Sequence, residues 1–145
     1  MAGLATGNGF PNVVVTGVAM TTALASDADS TWKALLDGQS GIRTLNDEFV
    51  EKYDLPVRIG GHLVEEFDGE LTRVELRRLS YLQKMSTVLG RRVWQNAGSP
   101  EVDLKRLMVS IGTGMGSTEE MLFAYDGMRE RGLRAVSPLV VQMYM

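Results

Sequence analysis

Cysteine is absent from the sequence. Disulfides, thiolate metal centres and a cysteine nucleophile are therefore excluded within these residues. Histidine is nearly absent too, with His62 alone. One histidine and no thiolate cannot assemble the usual ligand clusters, so no metal site is expected. No stretch approaches the roughly 18 consecutive apolar residues that cross a bilayer, and no membrane span is expected. The opening residues Met1 to Gly9 lack the basic start and apolar run of a signal peptide. Residues 1–10 read instead as a flexible glycine-rich lead-in, and the location as cytoplasmic, which the missing cysteine fits. An excess of either charge is also lacking: fifteen basic residues stand against eighteen acidic ones, a net charge of -3. That balance gives no reason to expect nucleic acid or an anionic membrane as the main partner.

What is present suits a packed α/β protein. The 145 residues, 44% hydrophobic and 23% charged, can form one domain or a piece of a larger one with a buried core. Val13-Val14-Val15-Thr16-Gly17-Val18 is short, β-branched and apolar on consecutive positions, the pattern of a strand covered on both faces. A helix should follow, capped by Ser26 or Asp27, with Trp32, Leu35 and Leu36 on its apolar face and Gly38 at its end. From Ser40 to Leu71 the chain is broken by Gly41, Pro56, Gly60, Gly61 and Gly69, leaving room for a short strand at Val57-Arg58-Ile59. The spacing of Leu79, Leu82, Ser86, Leu89 and Val93 predicts one long helix from about Thr72 to Ala97. On that wheel Arg73, Arg77, Lys84 and Arg91 share the opposite sector without acidic partners, while Arg78 falls at the edge of the apolar side. Leu107-Met108-Val109-Ser110-Ile111 reads as a second buried strand. Ser117 or Thr118 then caps a helix to about Arg131, its first-turn Glu119 and Glu120 suiting the positive end of the dipole and Gly132 closing it. Pro138 could open one more helix. Strand and helix alternating in this order imply α/β architecture with a largely parallel sheet.

The turn Gly112-Thr113-Gly114-Met115-Gly116 is the most motif-like feature. A dinucleotide loop of the form G-x-G-x-x-G would place glycine where Ser117 stands, and the acidic residue about 20 positions on is missing. A P-loop would end in Gly-Lys-Ser/Thr, and a nucleophile elbow would carry serine where Gly114 stands. The pattern favours a tight turn with close backbone packing over a ligand site. His62, beside Gly60-Gly61, reads as a surface or loop residue. A single-signed basic stripe is most often just solvated, but it could also dock an acidic protein by charge steering. The late methionines, Met115, Met121, Met128, Met143 and Met145, read mainly as core packing.

Several strings go further. Ser40-Gly41-Ile42 after a Trp32-bearing helix, Arg77-Arg78-Leu79, the 112–116 glycine turn and Val136-Ser137-Pro138-Leu139 resemble, in order and spacing, the β-ketoacyl-[acyl-carrier-protein] synthases. These are condensing enzymes of the thiolase-like superfamily, and the resemblance runs from Phe10 to Met145. Phe49-Val50, Val57 to Leu63 and Asn96 to Asp103 are similar to the mycobacterial members that extend meromycolic acid chains, more to the second, late-acting type than to the first. The resemblance implies that residues 11–145 are the front part of the synthase N-terminal domain, a portion of a thiolase-like layered α-β-α fold with an incomplete sheet. An incomplete sheet leaves open edges and an uncovered apolar face. It further implies an acyltransferase that needs no cofactor, works on acyl and malonyl forms of an acyl-carrier protein, and is a homodimer when complete. In that family a cysteine carries the acyl chain, and two histidines and a lysine serve the decarboxylative condensation. None of these positions falls in this sequence, and His62 matches none of them, so no catalytic residue is assigned. Three other roles are implied: carrier docking for Arg77 and Arg78, joined by Arg73 and Lys84 of the stripe; the acyl-pocket gate for Met115; and a dimer-contacting pocket wall for Val140 and Val141. The alternative reading is a non-catalytic α/β module that docks an acidic partner through the basic helix.

Overall fold

The computed structural model describes residues 13–144; the lead-in expected over residues 1–10 lies outside them. The first helix, α1 (Ala28–Leu36), begins where the sequence reading places it: Asp27 accepts the Ser30 N–H at 2.8 Å. That bond holds the Asp27 carboxyl below its ordinary pKa. The face it buries differs from the expected one, however. Thr31 and Ala34 are covered, while Trp32, Leu35 and Leu36 are exposed.

Two short strands follow, β1 (Arg43–Thr44) and β2 (Ile59–Gly60), separated by α2 (Glu48–Lys52). They pair antiparallel, Arg43 opposite Gly60 and Thr44 opposite Ile59. Only the end of the expected 57–59 strand is therefore realised. Among the described residues this is the only sheet. The expected strands at Val13–Val18 and Leu107–Ile111 do not form, and with them the largely parallel sheet. The physical reason is that β-branched composition supplies propensity, but a strand also needs a lateral partner for its N–H and C=O groups. Neither segment has one, and Val13, Val15, Met108 and Val109 are each more than three-quarters exposed.

The C-terminal ends of these two segments lie instead beside one helix. The long helix expected over 72–97 is two: α3 (Arg73–Arg78) and α4 (Tyr81–Asn96). Leu79 and Ser80 leave the helical region, with ψ of 134° and 168°. The break is built by consecutive capping boxes. Thr72 accepts from the Glu75 N–H while Glu75 reaches back to the Thr72 N–H, and Ser80 and Gln83 repeat the exchange. A capping box satisfies backbone donors only at a helix start, so the second box opens a new helix. Val18 N–H donates to Asn96 Oδ1 at 2.9 Å. Gly17 lies so close to the end of α4 that a Cβ would stand 2.8 Å from the Val93 carbonyl oxygen, which requires glycine there. Ile111 and Thr113 border a groove with Leu79, Leu82 and Ser86 of the α3–α4 link and α4.

Among the described residues the buried apolar side chains are Ala34, Val50, Phe67 and Val88. Phe67 packs edge-on to Tyr81 with ring centroids 5.8 Å apart, a favourable aromatic geometry. Burial and the nearby Glu66 and Glu65 charges push the Tyr81 phenol pKa up. An ion-pair ladder clamps the 65–75 segment to α4. Arg92 binds both carboxylate oxygens of Glu65 at 2.8 and 2.9 Å and also holds Glu70. Arg91 pairs with Glu75, and Lys84 with Asp68 at 2.9 Å. Beyond the glycine turn, α5 (Thr118–Arg131) ends at Gly132, whose φ of 83° is the left-handed conformation that glycine tolerates. The last element, α6 (Val140–Tyr144), starts two residues after Pro138.

Candidate functional site

Three of the four proposed docking cations come from α3. Arg73, Arg77 and Arg78 are exposed and form no ion pair among the described residues. Arg77 Nε donates to the Arg73 carbonyl oxygen at 3.1 Å, which ties its guanidinium along the helix. Arg77 and Arg78 also occupy the last turn, where the negative end of the helix dipole favours cations. The break after α3 removes the continuous wheel that put Arg78 at the apolar edge.

The same break and the ladder correct the expected stripe. Lys84 is not without an acidic partner: its side chain is 20% exposed and its ammonium sits on Asp68. Arg91 is spoken for by Glu75 and by the Glu70 carbonyl oxygen. The available positive charge is thus a compact cluster on α3, not a stripe along a 26-residue helix. The capping bond from the Thr72 N–H, then the Arg91 guanidinium, hold the Glu75 carboxyl down to about 2. Arg92 lowers Glu65, and Glu65 with Glu70 raises Arg92 in return. For Glu65 and Glu75 the paired arginine thus favours the charged carboxylate.

Met115 stands in the glycine turn, 73% exposed. Its carbonyl oxygen accepts from Thr118 Oγ1 at 2.7 Å, and the Gly116 N–H donates to Thr113 Oγ1 at 3.1 Å. Gly116 has φ of 61°, and a Cβ there would lie 3.0 Å from the Tyr144 carbonyl oxygen. Glycine is required by the fold at this point, as a tight turn demands. A cavity of about 230 Å³ behind Met115 is bordered by Ser80, Tyr81, Leu82 and Ser117. On α6 Val140 is half-buried and Val141 exposed. This helix meets the turn directly: the Ser117 N–H donates to the Tyr144 carbonyl oxygen at 3.2 Å, and Gln83 Nε2 to that of Gln142 at 2.7 Å. The α3 cluster, the Met115 turn and α6 therefore converge on the start of α4.

Ser117 does not cap α5 with its side chain, contrary to one of the two expected options. Its hydroxyl is engaged by Ser80, 2.6 Å away and buried. Sequence reasoning missed this pair, and it missed the Arg92 ladder. The signal for Ser80 was available as Ser80-x-x-Gln83. His62 is an exposed loop residue whose Nε2 lies 3.1 Å from Asp47 Oδ2. No group of metal-ligating side chains occurs among the described residues, and none of their helices is long and apolar enough to cross a membrane. An open cleft of about 810 Å³ lies between α2 and α5, with Phe49, Tyr53, Leu122 and Phe123 beside Asp47, Glu48, Glu119 and Asp126.

The sequence profile described as "Beta-ketoacyl synthase, N-terminal domain" matches residues 11–145, and the chain belongs to that family. The family carries the thiolase-like α/β fold expected above, although the described residues themselves are rich in helix with one two-stranded sheet. Among individual proteins the chain is similar to the 3-oxoacyl-[acyl-carrier-protein] synthase 2 of Mycobacterium tuberculosis (strain ATCC 25618 / H37Rv), 73% identical over 145 residues. That match covers 100% of this chain and 35% of the relative. The protein of the same name from Mycobacterium leprae (strain TN) is 73% identical over 142 residues, covering 98% of this chain and 34% of its own length. The Vibrio cholerae protein of that name is 33% identical over 133 residues, covering 89% of this chain and 31% of its own. The chain spans about a third of the length of the curated relatives it matches.

Proposed function

We propose that this chain forms the front part of a 3-oxoacyl-[acyl-carrier-protein] synthase of fatty-acid elongation, acting on long meromycolate-type chains. The observation that carries the reading is 73% identity sustained from end to end with mycobacterial proteins of that name. The reaction is a decarboxylative Claisen condensation. An acyl thioester on a cysteine is attacked by the enolate released when malonyl-carrier protein loses CO₂, giving a 3-oxoacyl-carrier product. A thiolate suits thioester exchange, and the enolate oxygen needs preorganised donors. This sequence has no cysteine, and His62 is paired on the surface with Asp47, so neither group comes from these residues.

The chain's own contribution is to bind and to select. Arg73, Arg77 and Arg78 offer unpaired guanidinium groups to the acidic carrier, and Arg77 is the centre of that face. Lys84 adds less, because Asp68 already neutralises it. Met115 gates the acyl pocket with a flexible thioether side chain that can yield to a long chain. Val140 and Val141 reach the dimer contact and the partner's pocket wall in the complete homodimer. A non-catalytic module would use the same arginines, so catalysis is the deciding measurement. The protein expressed from its complete reading frame should convert labelled malonyl-carrier protein and a long acyl-carrier protein to a 3-oxoacyl product with release of CO₂. A folded, carrier-binding protein that forms no such product would establish the binding module instead.

A further inference from the structure

Ser80 and Ser117 have a role that neither docking nor gating assigns. Each begins a long helix: Ser80 is the N-cap of α4 and Ser117 that of α5. Their hydroxyl oxygens lie 2.6 Å apart across 37 positions of sequence, in a site that leaves Ser80 1% and Ser117 8% exposed. Ser80 follows Arg78 after a single residue, so it is the first fixed point beyond the basic helix. Ser117 is two residues from Met115. The shortest path from the docking face to the gate is therefore Arg78, Leu79, Ser80, Ser117, Gly116, Met115, crossing between helices at one hydroxyl–hydroxyl contact.

The surroundings make that contact a latch rather than incidental packing. Ser117 gives up side-chain capping of its own helix to make it. Next to the turn, Ser117 is held at two points, its N–H donating to the Tyr144 carbonyl oxygen at 3.2 Å and its hydroxyl meeting Ser80. A shift of Ser80 therefore acts on the residue that adjoins the turn. The cavity of about 230 Å³ that Met115 borders is lined by both serines as well as by Tyr81 and Leu82, so the latch and the gate share one space. From this geometry we propose that Ser80 and Ser117 are positioning residues that couple carrier engagement on α3 to the setting of the Met115 gate, and so help determine the acyl length accepted. The proposal rests on the docking and gating reading above.

The test compares Ser117→Ala with the double variant Ser80→Ala/Ser117→Ala in the complete enzyme. In Ser117→Ala the Ser80 hydroxyl still accepts from the Gln83 N–H and caps α4, so this variant guards against a folding defect, whereas the double variant also removes that cap and is compared at matched fraction folded. Long and short acyl donors are offered on carrier protein and on a small thioester. Coupling predicts that the long-to-short ratio of kcat/KM with carrier-bound donors changes by about fivefold or more in both variants. With small thioesters, which do not touch α3, the ratio should match that of the parent enzyme. KM for carrier protein should stay within about twofold of the parent, because the arginines are intact. A uniform fall in kcat for every donor, or an unchanged ratio in the double variant, would overturn the coupling. Arg77→Glu, run in parallel, separates the two claims: if it raises KM for carrier while the serine variants leave the ratio alone, docking stands and the latch does not.

Discussion

Arg77 and Lys84 were grouped by sequence, but the structure gives them different electrostatic surroundings, and this predicts unequal consequences for carrier binding. Arg77 is exposed with no carboxylate on it, whereas Lys84 is largely covered and 2.9 Å from Asp68. Opposite charges about 4 Å apart in water attract by about 1 kcal/mol. Arg77→Glu replaces one such attraction to an acidic carrier with a similar repulsion, a change of about 2 kcal/mol. At about 1.4 kcal/mol per decade, that is roughly a 30-fold rise in KM for acyl-carrier protein at low salt. Lys84→Gln removes a charge that cannot reach the carrier directly and leaves Asp68 behind at the edge of a screened field; its effect should stay within about two- to threefold. Initial rates against carrier concentration would be measured for both variants of the complete enzyme, at about 0.05 M and about 0.5 M salt, where screening differs several-fold in length. The Arg77 effect should shrink at the higher salt and be absent with small thioester donors. Equal penalties at the two positions, or an Arg77 effect that persists with small thioesters, would refute the argument from pairing.

Met115→Trp should shorten the longest acyl chain accepted while leaving short donors near the parent rate; product profiles by mass spectrometry would show it, and an unaltered profile would remove Met115 from the gate. Phe67→Ala empties a fully buried aromatic site and should destabilise by about 3–5 kcal/mol in urea unfolding, with Phe67→Leu costing less because only shape and the Tyr81 ring contact are lost. Glu75 has its pKa lowered to about 2 in the fold from an ordinary 4.5, so its stabilising contribution is complete above about pH 4.5 and fades as pH falls toward 2. Glu75→Gln should therefore be less stable than the parent at pH 6, with the gap narrowing below about pH 4.5 and closing toward pH 2, and a gap independent of pH would contradict the assignment.

Caps, turns and helix ends were legible in the sequence because they are local. Asp27, Gly132 and the glycine turn act within a few residues of themselves, and each does what its chemistry foretold. The family was legible through strings such as Arg77-Arg78-Leu79 and the 112–116 turn. Three features were misread for want of non-local information. Val13–Val18 and Leu107–Ile111 have strand composition, but composition does not supply a neighbouring strand. The 72–97 helix kept its apolar period through Leu79 and Ser80, and periodicity outweighed a capping box that was plain at Ser80 and Gln83. The basic stripe looked unopposed because Asp68 and Glu75 lie 16 residues before Lys84 and Arg91, too far for a helical wheel to pair them.

The bond from Val18 to Asn96 sets a timetable. Its two ends are 78 residues apart, and a ribosome adding about 5–20 residues per second needs on the order of ten seconds to bridge that interval. Throughout it Gly17 and Val18 lack the end of α4 that they lie against in the fold. Gly17 and Val18 thus wait for their packing partner long after they are made, which gives a nascent-chain chaperone reason to hold that stretch.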